Sequence, residues 1–165
     1  MEADEYYSSI SKSYENLYGE EQRKKINAVI RILQISPRDS ILDIGAGDGI
    51  LERTLLNNDI VAIEPSSLCL SIPVSENITV ERKKISQFET NRRFDVVVCI
   101  TVLQDLKDGE KKICVDKAFA YCKVGGRIAI SALRVSGIDL GYLKPAITTD
   151  VENDRLYIFY KTEKV

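Results

Sequence analysis

Apolar positions in this chain fall into two rhythms that alternate along most of its length. Ile26, Val29, Ile30 and Leu33 recur at i, i+3, i+4 and i+7, with Arg23, Lys24, Asn27 and Arg31 on the other faces. That spacing predicts an amphipathic helix, which Pro37 ends. The short run Ile41 to Ile44 predicts a first strand. Ile50, Leu51, Thr54 and Leu55 give a second helix its buried face, and Asn57-Asn58 stop it. Ile60 to Ile63 reads as a second strand, Ser66 to Ser71 as a short helix ended before Pro73, and Ile78 to Arg82 as a weaker third strand. Phe94 to Ile100 is a fourth, and its apolar run marks burial on both faces. Asp108 caps a helix through Tyr121, Gly125-Gly126 close it with residues that tolerate positive φ, and Arg127 to Leu133 is a fifth strand. Ahead of all this, Asp4 to Tyr18 is polar and carries Tyr6, Tyr7, Tyr14 and Tyr18. Gly19 separates that segment from the amphipathic helix.

Strands alternating with helices specify a parallel sheet covered on both faces. The tail breaks the rhythm: Ala146 to Val151 and Arg155 to Tyr160 are strand-like and joined only by Glu152-Asn153-Asp154. So short a link makes an antiparallel hairpin. The expected fold is therefore α/β, a Rossmann-like three-layer sandwich. Its seven-stranded sheet is mostly parallel, with one antiparallel strand near an edge. The length of 165 residues fits one domain, taken as 19–165, preceded by an N-terminal lid segment, 1–18.

Composition narrows the setting. No apolar run approaches the ~18 residues that span a membrane, and the acidic, tyrosine-bearing start does not read as a secretory signal. The net charge of -2 gives no general pull toward nucleic acid. Cys69, Cys99, Cys114 and Cys122 form no C-x-x-C pair, and the chain has no histidine, which argues against a metal site. The four read as small buried hydrophobes suited to a reducing cytoplasm, the expected location. The lack of histidine also removes the commonest general base at neutral pH.

The candidate chemistry sits in Ile41-Leu42-Asp43-Ile44-Gly45-Ala46-Gly47-Asp48-Gly49, followed by Val61-Ala62-Ile63-Glu64. Strand, glycine turn, helix and second strand ending in an acid make the front half of a mononucleotide-binding unit. Glu64 at the second strand's tip can accept from both hydroxyls of a ribose. A dinucleotide fingerprint is G-x-G-x-x-G with pyrophosphate on the helix N-terminus. Here the third glycine comes one residue early, and Asp43, Asp48 and Glu64 crowd the turn. A pyrophosphate, with roughly two negative charges, is repelled there, whereas a ligand bearing an ammonium and a sulfonium is attracted. Charge therefore favours S-adenosylmethionine over NAD.

With ILDIGAGDG, VAIEPS, FDVVVCITVLQDL and KVGGRIAIS in this order, the chain resembles the class I, Rossmann-like S-adenosylmethionine-dependent methyltransferases. The opening YYSSISKSYENLYG is similar to the lid of small "type 11" and ubiquinone-biosynthesis members. The resemblance implies that Gly45, Ala46 and Gly47 pass beneath the methionine part of the cofactor. It implies that Asp43 holds the amino group and that Glu64 takes the ribose. Pro65 or Ser66 lies by the adenine and Ile85 on its other side, where many members carry an aspartate and this chain has Lys83-Lys84-Ile85-Ser86.

Methyl transfer from a sulfonium needs alignment and exclusion of water more than covalent catalysis. The rim beyond the strands' C-terminal ends holds Thr101, Gln104 and Asp105, and then Ser131 to Tyr142. Gln104 and Asp105 stand where many relatives carry histidine. Asp105 is the best carboxylate for a base, or else a helix cap. Tyr14 and Tyr18 close over the cofactor or merely pack the segment down, and Tyr142 is a candidate for the substrate wall. Arg82-Lys83-Lys84 and Arg92-Arg93 meet phosphates or are solvated surface. The expected acceptor is a small molecule, with RNA or protein as alternatives. Two competing readings are a non-catalytic S-adenosylmethionine-binding scaffold and an NAD-dependent oxidoreductase.

Overall fold

The computed structural model of the chain describes residues 2–9 and 11–163; the side chains of residues 7 and 11–18 fall outside that description. Seven strands form one sheet: β1 (Ser40–Ile44), β2 (Asp59–Ile63), β3 (Ile78–Glu81), β4 (Phe94–Cys99), β5 (Cys122–Leu133), β6 (Ile147–Val151) and β7 (Asp154–Tyr160). Their spatial order is β3-β2-β1-β4-β5-β7-β6. The pairs from β3 through β5 are parallel, and β7 runs antiparallel to both β5 and β6. The mixed sheet with one reversed strand beside the edge is as the sequence predicts. Strand order reverses between β1 and β4, so the C-terminal ends of these two open a crevice, the usual ligand position in such sheets.

Alternation along each strand splits the core between two faces. Leu42, Ile44, Val97, Cys99, Ile128 and Ile130 point to one face, where Cys114, Val115, Ala118 and Tyr121 of helix α4 (Asp108–Tyr121) cover them. Ile41, Ile60, Val96, Val98 and Ala129 point to the other, under Ile26, Val29 and Leu33 of α2 (Ser11–Leu33) and Leu51 of α3 (Ile50–Thr54). The run in β4 is buried on both sides as expected. All four cysteines are free and buried, and the Cys99 and Cys114 thiols lie 3.6 Å apart.

Four local expectations are corrected. Helix α2 runs unbroken through Gly19, which is buried rather than a separator, and a distinct helix, α1 (Ala3–Ser9), precedes it. A single interior glycine costs a helix only about 1 kcal/mol, less than the packing of α2 returns. Helix α3 is one turn long and Thr54 is exposed, its hydroxyl bonded back to the Ile50 carbonyl at 2.8 Å. The N-cap of α4 is Lys107, with Asp108 the first helical residue. Gly125-Gly126 lie inside β5 instead of ending α4. A Cβ at Gly126 would sit 2.9 Å from the Asp95 carbonyl, so only glycine lets β5 approach β4 at the irregularity in their register. The last carbonyls of α4 are met by the Lys161 ammonium, which donates to Phe119 O at 2.7 Å and Cys122 O at 2.9 Å.

Candidate active site

The turn after β1 is shaped by its glycines. Gly45 has φ 74°, and a Cβ there would fall 2.3 Å from Val102 Cγ2, so no other residue fits without moving that side chain. The Gly45 and Ala46 amides both donate to the Ile63 carbonyl, at 2.8 and 3.0 Å, which ties the turn to the tip of β2. One residue on, the Glu64 carboxylate accepts from the Gly47 amide at 3.0 Å and the Ser66 amide at 2.9 Å, one bond on each oxygen. A carboxylate oxygen has two lone-pair directions, so each keeps one for a ligand.

A cavity of ≈ 380 Å³ opens over this turn. Asp43, Gly45, Ala46 and Gly47 form its floor; Glu64, Pro65 and Ile85 form one side, and Thr101 and Asp105 the other. Nine of the eleven site residues expected from sequence therefore converge. Gln104 does not line the cavity. Its amide donates to the Thr101 carbonyl at 2.7 Å and accepts from the Leu133 amide at 3.4 Å, so it pins the turn after β4. Tyr14 lies in α2 with its side chain outside the described residues. Tyr142 is 73% exposed and away from the cavity. Of the basic run, Lys84 reaches the cavity, while Arg92 pairs with Asp59 at 2.6 Å.

Sequence reasoning missed other walls. Gln22 and Ile26 of α2 and Leu68 border the cavity, as do Glu2, Ala3 and Asp4 at the start of α1. Glu2 bridges two lysines across the opening, Lys84 at 3.0 Å and Lys107 at 3.1 Å. Those bonds hold the Glu2 carboxyl below its ordinary range. Ser8 anchors the other end of α1 by accepting from the Ser67 amide at 2.9 Å. No local pattern signals these contacts, because each joins segments far apart in sequence.

Behind the β4 rim lies a buried polar cluster. Thr101 has φ 58°, rare for a β-branched residue. Its hydroxyl donates to Asp154 Oδ2 at 2.6 Å and accepts from Lys25 Nζ at 3.2 Å, and its amide donates to Ser131 Oγ at 3.0 Å. Ser131 Oγ also donates to Asp154 Oδ2 at 2.5 Å. Lys25, buried on α2, pairs with Asp154 Oδ1 at 2.9 Å and Glu21 at 2.8 Å. The left-handed corner at Thr101 is thus held by two strands, β5 and β7, and helix α2.

On the floor, the acids dominate. Burial, above all, pushes the Asp43 carboxyl well up, and the neighbouring Glu52 and Glu64 charges add to it. Asp48 is paired with Arg53 at 3.5 Å. The site is therefore rich in carboxyl groups, poor in side-chain bulk at its centre, and carries a fixed acceptor carboxylate at the tip of β2. Those features fit a cationic nucleoside and repel a pyrophosphate.

A doubly wound sheet with such a crevice at its switch point defines a Rossmann-like nucleoside-binding domain. The family described as "Methyltransferase domain" matches residues 18–158. The chain belongs to that family and is a Rossmann-like, S-adenosylmethionine-dependent methyltransferase. The N-methyltransferase NodS from Bradyrhizobium japonicum WM9, solved with S-adenosyl-l-homocysteine, is similar in fold: TM-score 0.70 at 18% identity, covering 87% of this chain and 88% of that one. Magnesium protoporphyrin IX methyltransferase (ChlM) from Synechocystis PCC 6803 with bound SAM gives TM-score 0.74 at 14% identity, over 94% and 93% of the two chains. An RNA methyltransferase from Salinibacter ruber with S-adenosyl-L-homocysteine gives 0.65 at 18%, over 85% and 92%. No curated protein matches the sequence. No described helix is long and apolar enough to cross a membrane.

Proposed function

We propose that the cavity over the β1 turn holds S-adenosylmethionine and presents it to a small-molecule acceptor. The observation that carries this reading is the Glu64 carboxylate. It is fixed by two backbone amides at a strand tip, with a lone-pair direction free on each oxygen, beside the anionic glycine turn. In this assignment Glu64 accepts from the ribose, and Asp43 faces the cationic amino-acid end. Gly45, Ala46 and Gly47 lie beneath that end, and Pro65 and Ile85 bracket the base. When bound, the sulfonium supplies an activated methyl group for in-line displacement.

The chain's own contribution is alignment and exclusion of water. The turn at Thr101 and Val102 closes the cavity from the β4 side, and Asp105 is the carboxylate placed to take a proton from an acceptor that starts protonated. Residues 1–18 act as a lid: α1 borders the opening, and α2, which carries Tyr14, supplies Gln22 and Ile26 to the wall. Short loops around the rim favour a small molecule over RNA or protein. Four buried free thiols suit a reducing cytoplasm.

Isothermal titration with S-adenosylmethionine, S-adenosylhomocysteine and NAD tests the reading. The first two should bind and NAD should not. Glu64→Ala should weaken S-adenosylmethionine binding at least about tenfold, the worth of one charge-assisted hydrogen bond. Unchanged affinity in a folded variant refutes the ribose assignment. Methyl transfer in a screen of small amines, carboxylates and hydroxy compounds, against RNA and protein, decides the acceptor class.

A further inference from the structure

Behind the glycine turn sits a carboxyl with no partner. Glu52, on α3, is 0% exposed, and neither of its oxygens has a hydrogen-bond partner among the described residues. Its polar neighbour is the Asp43 carboxyl, itself 4% exposed at the end of β1 and open to the cavity. An unpaired glutamate buried without compensation is among the costliest residues a core can hold. Two buried carboxylates in contact cannot both stay ionised, but one proton shared between them supplies the missing donor. The other charged groups bearing on the pair are Glu64 from β2, Asp48 from the turn and Arg53 from α3 itself. Arg53 is engaged with Asp48, through its carboxylate at 3.5 Å and its carbonyl at 2.6 Å. Lys25, the buried cation of α2, is committed to Glu21 and Asp154. Among the described residues, no cation is in hydrogen-bond or ion-pair contact with Asp43 or Glu52.

We infer that Asp43 and Glu52 form a one-proton carboxyl pair that receives the cationic end of the cofactor, and that taking up this cation expels the shared proton. The inference rests on the cofactor reading above and adds Glu52 to the site as the residue that sets the charge of Asp43. Before binding, the pair carries one negative charge and one proton. On binding, the carboxyl O–H bond breaks, the proton passes to solvent, and the ligand's positive charge takes its place. Burial comes first in raising both groups, the direction that a shared proton requires. The same burial makes the exchange favourable, because an ion pair in a low-dielectric floor is stronger than one in water.

Titration calorimetry in buffers of different ionisation enthalpy counts the protons. Near about pH 7, wild-type protein should release about one proton per S-adenosylmethionine bound, and its affinity should rise with pH by up to about tenfold per unit. In Glu52→Gln the amide donates to Asp43 and holds it ionised, so release should fall toward zero and the pH dependence should flatten. The ligand's own amino group titrates alike with both proteins, so the difference belongs to the pair. Wild-type binding without proton release overturns the inference, and so does a Glu52→Gln count equal to wild type. If S-adenosylmethionine gives no binding heat at any pH, the cofactor reading fails and this inference with it, an outcome distinct from binding without protons. The wild-type count decides the matter even where Glu52→Gln does not fold.

Discussion

Replacing Asp154 by alanine removes the centre of the polar cluster behind the rim. Asp154 is fully buried; it accepts from the Thr101 and Ser131 hydroxyls and forms an ion pair with Lys25. Stripping one partner from a buried ion pair typically costs about 3–5 kcal/mol. Lys25 keeps its 2.8 Å pair with Glu21, which is partly exposed, and this moves the charge contribution to the low end. The Ser131 hydroxyl, 2% exposed, loses its acceptor where water has little access, adding about 1 kcal/mol or more. The total is about 4 kcal/mol, which for a domain of this size lowers the melting temperature by about 8–16 °C. Thermal and urea unfolding followed by circular dichroism measure it. The variant Lys25→Met/Asp154→Leu, which removes both charges, should recover much of the loss, because apolar residues of similar volume replace a buried pair at small cost. A loss below about 1 kcal/mol for Asp154→Ala would refute the reasoning, as would a double variant as unstable as the sum of its singles.

Other outcomes follow from single positions. Gly45→Ala forces a side chain into φ 74° and onto Val102, so it should lose about 1–2 kcal/mol from the backbone alone and bind S-adenosylmethionine more weakly; wild-type melting and affinity together would refute this. Burial works to raise the Asp95 carboxyl, but hydrogen bonds from Ser40 and Lys123 outweigh it and hold the group below its ordinary range. Its contribution to stability is thus present above the unfolded carboxylate's range and lost as pH falls through the lowered folded one. Asp95→Asn should flatten the acid limb of a stability-against-pH curve, and identical limbs would count against that assignment.

What could be read from the chain alone was whatever short-range chemistry dictates. Asp43, the glycines and Glu64 lie within one strand-turn-helix-strand unit whose geometry follows from residue type, and they converge on one cavity. The reversal at β7 was legible because the link Glu152-Asn153-Asp154, shortened in the structure to Glu152-Asn153, leaves no room for a crossover. Propensity misled where tertiary contacts overrode it. Gly19 looked like a break, yet the packing of α2 carries the helix through it. Gly125-Gly126 looked like a helix stop, yet Gly126 serves the close approach to β4 and Lys161 caps α4 from the far end of the chain. Gln104 looked like a rim residue because it follows β4, but its hydrogen bonds turn it into a brace. The burial of Glu52 had no local signal at all: a glutamate on an amphipathic turn reads as solvent-facing.

The inversion of β7 has an effect on what reaches the rim. Strands β1, β2, β4 and β5 bring their closing residues to the crevice, whereas β7 enters there and so contributes its opening residue, Asp154. A carboxylate encoded near the chain's tail is thereby delivered beside Thr101, which all-parallel winding would have placed at the opposite pole of the sheet. The length of the Glu152-Asn153 link consequently governs the depth at which that anchor engages, and an inserted residue there would detune the crevice without touching any group that lines it.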